Sequence, residues 1–260
     1  MTDIKLWENE IPFYLDGADT PNYMTFYPAP THHPTACVVI YPGGGYKHRA
    51  DHEGGPIAEF FNSRGLHAAV VQYRTAPNYH PAPLADAQRA IKIVRENAKK
   101  WFVDPDRIVT LGFSAGGHLA ASTVTLPEVE TVVDDEISKQ PCLPNGAVLC
   151  YPVIELGEAF GHVGSGKNLL GDAYTEKAAE YSLQNRINEK TPQVFLWHTS
   201  DDQAVNVKNS LVFGERLRDL GIPFEMHIFP HGKHGLGLAM ATFDACKWAD
   251  LAADWIIRNI

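Results

Sequence analysis

Six short apolar runs recur along this chain: "ACVVIY" (36–41), "LHAAVVQYR" (66–74), "RIVTLGF" (107–113), "GAVLCYP" (146–152), "QVFLWH" (193–198) and "FEMHIFP" (224–230). They are almost continuously apolar rather than alternating, and too short for ordinary helices. Such runs suit strands buried on both faces. Amphipathic segments lie between them. "PLADAQRAIKIVRENAKKW" (83–101) carries Leu84, Ala87, Ile91, Val94, Ala98 and Trp101 at spacings of three and four, one apolar stripe. "PIAEFFNSR" (56–64), "VKNSLVFGERLRDLG" (207–221) and the final "ATFDACKWADLAADWIIRNI" are further helix candidates, the second closing on a glycine. Strand–helix alternation requires parallel pairing with crossover helices on both faces of a sheet. The expected fold class is therefore α/β, with a mostly parallel central sheet. "IKLWENEIPFYLDG" and "NYMTFYPAP" add one or two antiparallel edge strands. Residues 152–192, with a short helix candidate "TEKAAEYSL", break the rhythm. They read as an insertion over the sheet edge within one domain spanning 1–260.

Composition narrows the function classes. The formal net charge of -9, with no Lys/Arg block, disfavours a nucleic-acid partner, which needs a concentrated basic surface. No basic start precedes an apolar run at the N-terminus, and no stretch reaches the length of a membrane span. The expectation is a cytoplasmic protein without a membrane partner. Cys37, Cys142, Cys150 and Cys246 form no C-x-x-C pair. Cys37, Cys150 and Cys246 read as free buried thiols acting as small hydrophobes.

In an open parallel sheet, ligands sit outside the carboxyl ends of the strands. The unusual residues of this chain collect there. "GFSAGG" (112–117) ends one apolar run and opens a helix, the setting of a nucleophile elbow built on G-x-S-x-G. Ser114 would stand at a helix N-terminus, where partial positive charge favours a developing anion. Its bland role would be an ordinary N-cap. "YPGGGY" (41–46) lets the backbone pass close to a substrate, with the N–H groups of Gly44 and Gly45, and that of Ala115, as oxyanion donors. Asp201 and Asp202 follow the fifth run, and His227, His231 and His234 lie in or after the sixth. H-x3-H-x2-H has the look of a metal string. Pro230 and the neighbouring glycines keep these histidines off any common regular face, so no metal and no cofactor are expected. His227 falls inside a strand. Gly232 and Gly235 free the backbone around His234 to turn toward the sheet edge, and His231 remains the alternative base.

Together these stretches resemble the α/β-hydrolase serine esterases. The likeness is nearest to the bacterial acetylxylan and carbohydrate acetyl esterase branch. It rests on "YPGGGY", "HEGGPIAEFF", "LGFSAGGHLAAS", "YPVIE", "SGKNLLG", "FLWHTSDDQAVNVKNSL" and "HIFPHGKHGLGLA". Pro42 stands where better-known lipases carry histidine before three glycines, which argues against that branch and its substrates. The resemblance implies the α/β-hydrolase fold and a Ser–Asp–His order, with Ser114 as nucleophile, Asp202 as acid and His234 as base. Thr199 and Asn206 depart from the usual glycine and proline of the acid stretch without touching the carboxylate. Ser165 and Asn168 would fix the insertion near the site. Tyr46 and His48 are candidates for lining an acyl or sugar pocket. Glu53 and Arg74 are candidates for an ion pair behind the glycine loop. His118 reads as a packed helix residue and Trp197 as core. The implied activity is hydrolysis of short-chain, chiefly acetyl, esters of carbohydrates such as acetylated xylo-oligosaccharides. General carboxylesterase, arylformamidase and small-peptidase activities stand as alternatives within the fold. A non-catalytic binding module is the alternative outside enzymes.

Overall fold

The third strand shows how the sheet is covered. In the computed structural model, which describes residues 1–157 and 159–260, every residue of Thr35–Tyr41 is buried. Successive side chains of a strand face opposite ways. Cys37, Val39 and Tyr41 accordingly join one apolar cluster, and Ala36, Val38 and Ile40 join another. The same division runs through the neighbouring strands. Ala147 and Leu149 face one side, while Val148 and Cys150 face the other.

The strands are β1 (Thr2–Lys5), β2 (Tyr23–Tyr27), β3 (Thr35–Tyr41), β4 (His67–Val71), β5 (Val103–Phe113), β6 (Gly146–Cys150), β7 (Val194–Thr199) and β8 (Phe224–Phe229). The helices are α1 (Gly55–Ser63), α2 (Ala82–Glu96), α3 (Ala98–Trp101), α4 (Ala115–Thr125), α5 (Val163–Leu170), α6 (Tyr174–Lys177), α7 (Lys208–Asp219) and α8 (Trp248–Asn259). One sheet has the order β1-β2-β4-β3-β5-β6-β7-β8. β2 pairs antiparallel with both β1 and β4, and every other pairing is parallel. Residues of α1 and α8 pack on one face, and residues of α2, α4 and α7 on the other. This is the α/β-hydrolase fold expected from the sequence.

Local details differ from the sequence reading. The stripe over 83–101 is interrupted at Asn97, whose N–H and side-chain amide both turn back to the Ile93 carbonyl. β8 is only partly buried because it is the sheet's last strand. Of the "TEKAAEYSL" stretch, only its first three residues are α-helical, within the four-residue α6. Residue 158, within the 152–192 segment, lies outside the described residues. Cys246 is half-exposed, whereas Cys37 and Cys150 are buried. Trp197 is fully buried. Among the described residues, no helix is long and apolar enough to cross a membrane.

Glu53 and Arg74 do not pair. The buried Arg74 guanidinium instead grips Asp86 on α2 through two bonds, Nε to Oδ2 at 2.8 Å and Nη2 to Oδ1 at 2.7 Å. Trp7 Nε1 donates to the same carboxylate, and Arg74 Nη1 donates to the Pro12 carbonyl. The pair thus ties the N-terminal segment to the sheet. Spacing along the chain could not choose between two carboxylates on different elements. Removing one partner of a buried ion pair leaves the other charge uncompensated. Asp86→Ala is therefore expected to lower unfolding free energy by about 3–5 kcal/mol, read as a shift of the urea midpoint.

Candidate active site

β5 and α4 meet at Ser114, whose backbone sits at φ 54° and ψ -117°, a sparsely populated conformation for a residue with a side chain. The turn exists because its flanks lack side chains. A Cβ on Gly112 would lie 1.9 Å from the Gly116 carbonyl oxygen, and one on Gly116 would lie 2.1 Å from that of Tyr41. Backbone bonds hold the elbow in place. Ser114 N–H donates to the Cys150 carbonyl, and the Ser114 carbonyl accepts from His118 and Val153.

The carboxyl ends of β7 and β8 bring the other two groups to this turn. Ser114 Oγ lies 2.8 Å from His234 Nε2, and His234 Nδ1 lies 2.6 Å from Asp202 Oδ2. With Nδ1–H donating to the carboxylate, Nε2 is left to accept the serine proton. Asp202 Oδ1 accepts from the N–H groups of Ala204 and Val205. Burial works to raise the Asp202 pKa. Hydrogen bonds from His198, His234 and Val205 outweigh it and hold the carboxyl well below its ordinary range. The three histidines of the terminal stretch do not converge. His227 pairs with Glu225, the exposed His231 with Asp201, and His234 with Asp202.

The glycine loop faces the elbow. Gly44 adopts φ +129°, and a Cβ there would meet the His48 carbonyl oxygen at 2.3 Å, so only glycine fits. Among the described residues, no protein acceptor takes the N–H of Gly44, Gly45 or Ala115. Tyr46, a candidate pocket residue, is buried instead. Its hydroxyl lies 2.9 Å from His118 Nδ1, and its ring packs edge-on to Tyr73. It braces the loop against α4. His48 is exposed beside Gly44. Asn168 Nδ2 donates to the Gly45 carbonyl at 2.8 Å, which ties α5 to the loop.

Two residues without a correct sequence assignment join the loops. Glu53 Oε2 accepts from Gly43 N–H at 2.8 Å, and Glu53 Oε1 accepts from the Tyr151 hydroxyl at 2.6 Å. That hydroxyl in turn accepts from Gly237 N–H at 2.9 Å. The Tyr151 ring meets His234 edge-on, with centroids 5.0 Å apart. Burial, followed by the charge of Glu53, pushes the phenol well above its ordinary value, so it stays a donor. Both residues lie in stretches that carried the family likeness, "HEGG" and "YPVIE", but only the fold brings them together.

These features define the chain as an α/β-hydrolase with a Ser–His–Asp constellation. The BD-FAE family pattern matches residues 25–217, and the chain belongs to that family. It is 37% identical over 214 residues to endo-1,4-beta-xylanase B of Butyrivibrio fibrisolvens, covering 80% of this chain and 33% of that protein. It is 32% identical over 206 residues to an acetylxylan esterase of Xylanibacter ruminicola, covering 77% of this chain and 41% of the relative. The chain thus spans less than half the length of these two relatives. Among solved structures, an acetyl ester-xyloside bifunctional hydrolase from Caldicellulosiruptor lactoaceticus superposes with a TM-score of 0.93 at 45% identity, covering 98% of this chain and 95% of the other.

The helix behind Ser114 carries a pH liability. Burial lowers His118 from its ordinary value of 6.5 to about 4. Burial, with the charges of His118 and Lys177, does the same to His80. Below pH 6.5 the unfolded chain takes up protons at these positions while the folded chain does not. Their contribution to stability is present above 6.5 and is lost as pH falls toward 4. Urea titrations between pH 7 and pH 4 should show this decline, and His118→Gln should flatten it.

Proposed function

We propose that this chain is a serine esterase that removes short acyl groups, chiefly acetyl, from carbohydrates by way of an acyl-enzyme. The observation that carries the reading is the unbroken run from Ser114 Oγ through His234 to the buried Asp202, set beside the N–H groups of Gly44, Gly45 and Ala115. A serine hydroxyl is a weak nucleophile until a base takes its proton. In this reading His234 Nε2 takes that proton as Ser114 Oγ attacks the ester carbonyl. Asp202 holds the imidazole in the required tautomer and stabilises it once charged. The tetrahedral oxyanion is bound by the Gly44, Gly45 and Ala115 N–H groups, each worth on the order of 10²–10³ in rate. His234 then returns the proton to the departing sugar oxygen and activates the water that releases acetate.

The names of the relatives support acetylated xylose-containing compounds as the substrate class. For a chain read as cytoplasmic, xylo-oligosaccharides are favoured over polymer. Ser114→Ala should cut hydrolysis of p-nitrophenyl acetate by about 10³-fold or more. Near wild-type turnover in that variant would sink the mechanism. A preference rising with acyl length across a series from acetate to octanoate would sink the acetyl assignment.

The Tyr151 hydroxyl joins the two loops that hold the oxyanion donors and the base. Tyr151→Phe keeps the ring against His234 but breaks the Glu53–Tyr151–Gly237 link between the loops. Misplacing groups that act only in the transition state lowers kcat rather than binding. The expected result is a fall in kcat of about 10-fold or more with KM little changed, measured on p-nitrophenyl acetate.

A further inference from the structure

A second histidine, outside the Ser–His–Asp run, caps the helix that is tied to the glycine loop. His162 is the residue that opens α5, and its ring serves as the helix cap. Nδ1 accepts from Ser165 N–H at 3.2 Å and lies 2.8 Å from Ser165 Oγ. A backbone N–H can only donate, so Nδ1 must be the unprotonated nitrogen. The proton of the neutral ring then sits on Nε2. Among the described residues, no protein group pairs with that Nε2–H. The ring is half-buried.

The same contacts locate the ring. Ser165 is fully buried, and its Oγ lies 3.9 Å from where a Gly45 side chain would begin. Three residues on, Asn168 binds the Gly45 carbonyl. The first turn of α5 is thus docked on the candidate oxyanion loop, with His162 at its exposed end. Burial, followed by the charge of His234, disfavours the protonated ring, while Asp202 opposes this; the net direction is down. His162 is therefore within reach of the site's charges yet stays a neutral donor, so it does not compete with His234 as base.

We infer that His162 Nε2–H is a specificity-determining donor that hydrogen-bonds a hydroxyl of the sugar carrying the ester. The inference rests on the esterase reading above and extends it from the acyl group to the alcohol. Ser165 acts through His162 as a positioning residue, because its N–H and hydroxyl select the tautomer.

The test separates the cap from the contact. Asparagine is a good helix cap but is shorter than histidine, so His162→Asn keeps the bond to Ser165 N–H and withdraws the donor. Wild type, Ser114→Ala and His162→Asn are compared on acetylated xylo-oligosaccharide and on p-nitrophenyl acetate, whose leaving group has no sugar hydroxyl. The expected result for His162→Asn is a loss of about tenfold in kcat/KM on the oligosaccharide, the size of one hydrogen bond. Turnover of p-nitrophenyl acetate should stay within about twofold of wild type by the same argument. Equal losses on both esters, or no loss on either, would overturn the inference while leaving the esterase reading intact. Inactivity of wild type on both esters, or full activity of Ser114→Ala, would overturn the esterase reading itself. Thermal unfolding of His162→Asn close to that of wild type is the expected companion result. A large drop accompanied by equal losses on both esters would assign His162 to the fold alone.

Discussion

The closeness of the backbones at Gly112 and Gly116 governs much of what surrounds them. β5 ends, the chain reverses at Ser114, and α4 begins so near the end of β3 that a single Cβ on Gly116 would collide with the Tyr41 and Pro42 carbonyls. That contact presses the helix that follows Ser114 against the strand that leads into the glycine loop. The relative position of Ser114 and the Gly44 and Gly45 N–H groups is therefore set by backbone packing rather than by flexible side chains. The strained φ of Ser114 persists because three backbone hydrogen bonds and the two glycine contacts over-determine it.

Around this fixed point the candidate base and acid are delivered by separate strands, and their loops need their own restraints. The Glu53–Tyr151–Gly237 chain of hydrogen bonds supplies one, from the glycine loop to the histidine loop. His52 supplies another by donating from Nε2 to the Gly235 carbonyl. A buried carboxylate is costly unless its lone pairs are satisfied. Glu53 meets that condition with a backbone N–H and a phenol, which also makes it a rigid spacer between the two loops.

The sequence disclosed the sheet, the elbow, the glycine loop and the candidate acid and base for a common reason. Each is a local pattern: an apolar run, a G-x-S-x-G turn, a glycine string, an Asp or His just past a strand. Tyr151 and Glu53 lie 98 positions apart, and no local pattern joins them. Arg74 illustrates the same limit: the sequence reading pairs it with Glu53, whereas the fold buries it beside α2 against Asp86. Tyr46 was misread because an aromatic after a glycine loop looks the same whether it faces a cleft or the core. His162 gave no signal at all, because its significance comes from docking α5 on Gly45, and chain spacing does not encode that contact.

Two neighbouring Asp–His pairs show why adjacency in sequence does not mean equivalence in chemistry. Asp201 with His231 and Asp202 with His234 have similar separations, 3.0 Å and 2.6 Å. The difference is solvent. Asp201 and His231 are largely exposed, with side-chain accessibilities of 47% and 84%, where water screens the attraction and the pair adds little. The Asp202 carboxylate is 1% exposed and is held by two backbone N–H groups, so its charge acts on His234 through a poorly screened medium. One residue's shift along the turn after β7 moves a carboxylate from the surface to the interior. That shift, rather than the presence of an acid and an imidazole, is what suits the inner pair to the proposed activation of Ser114.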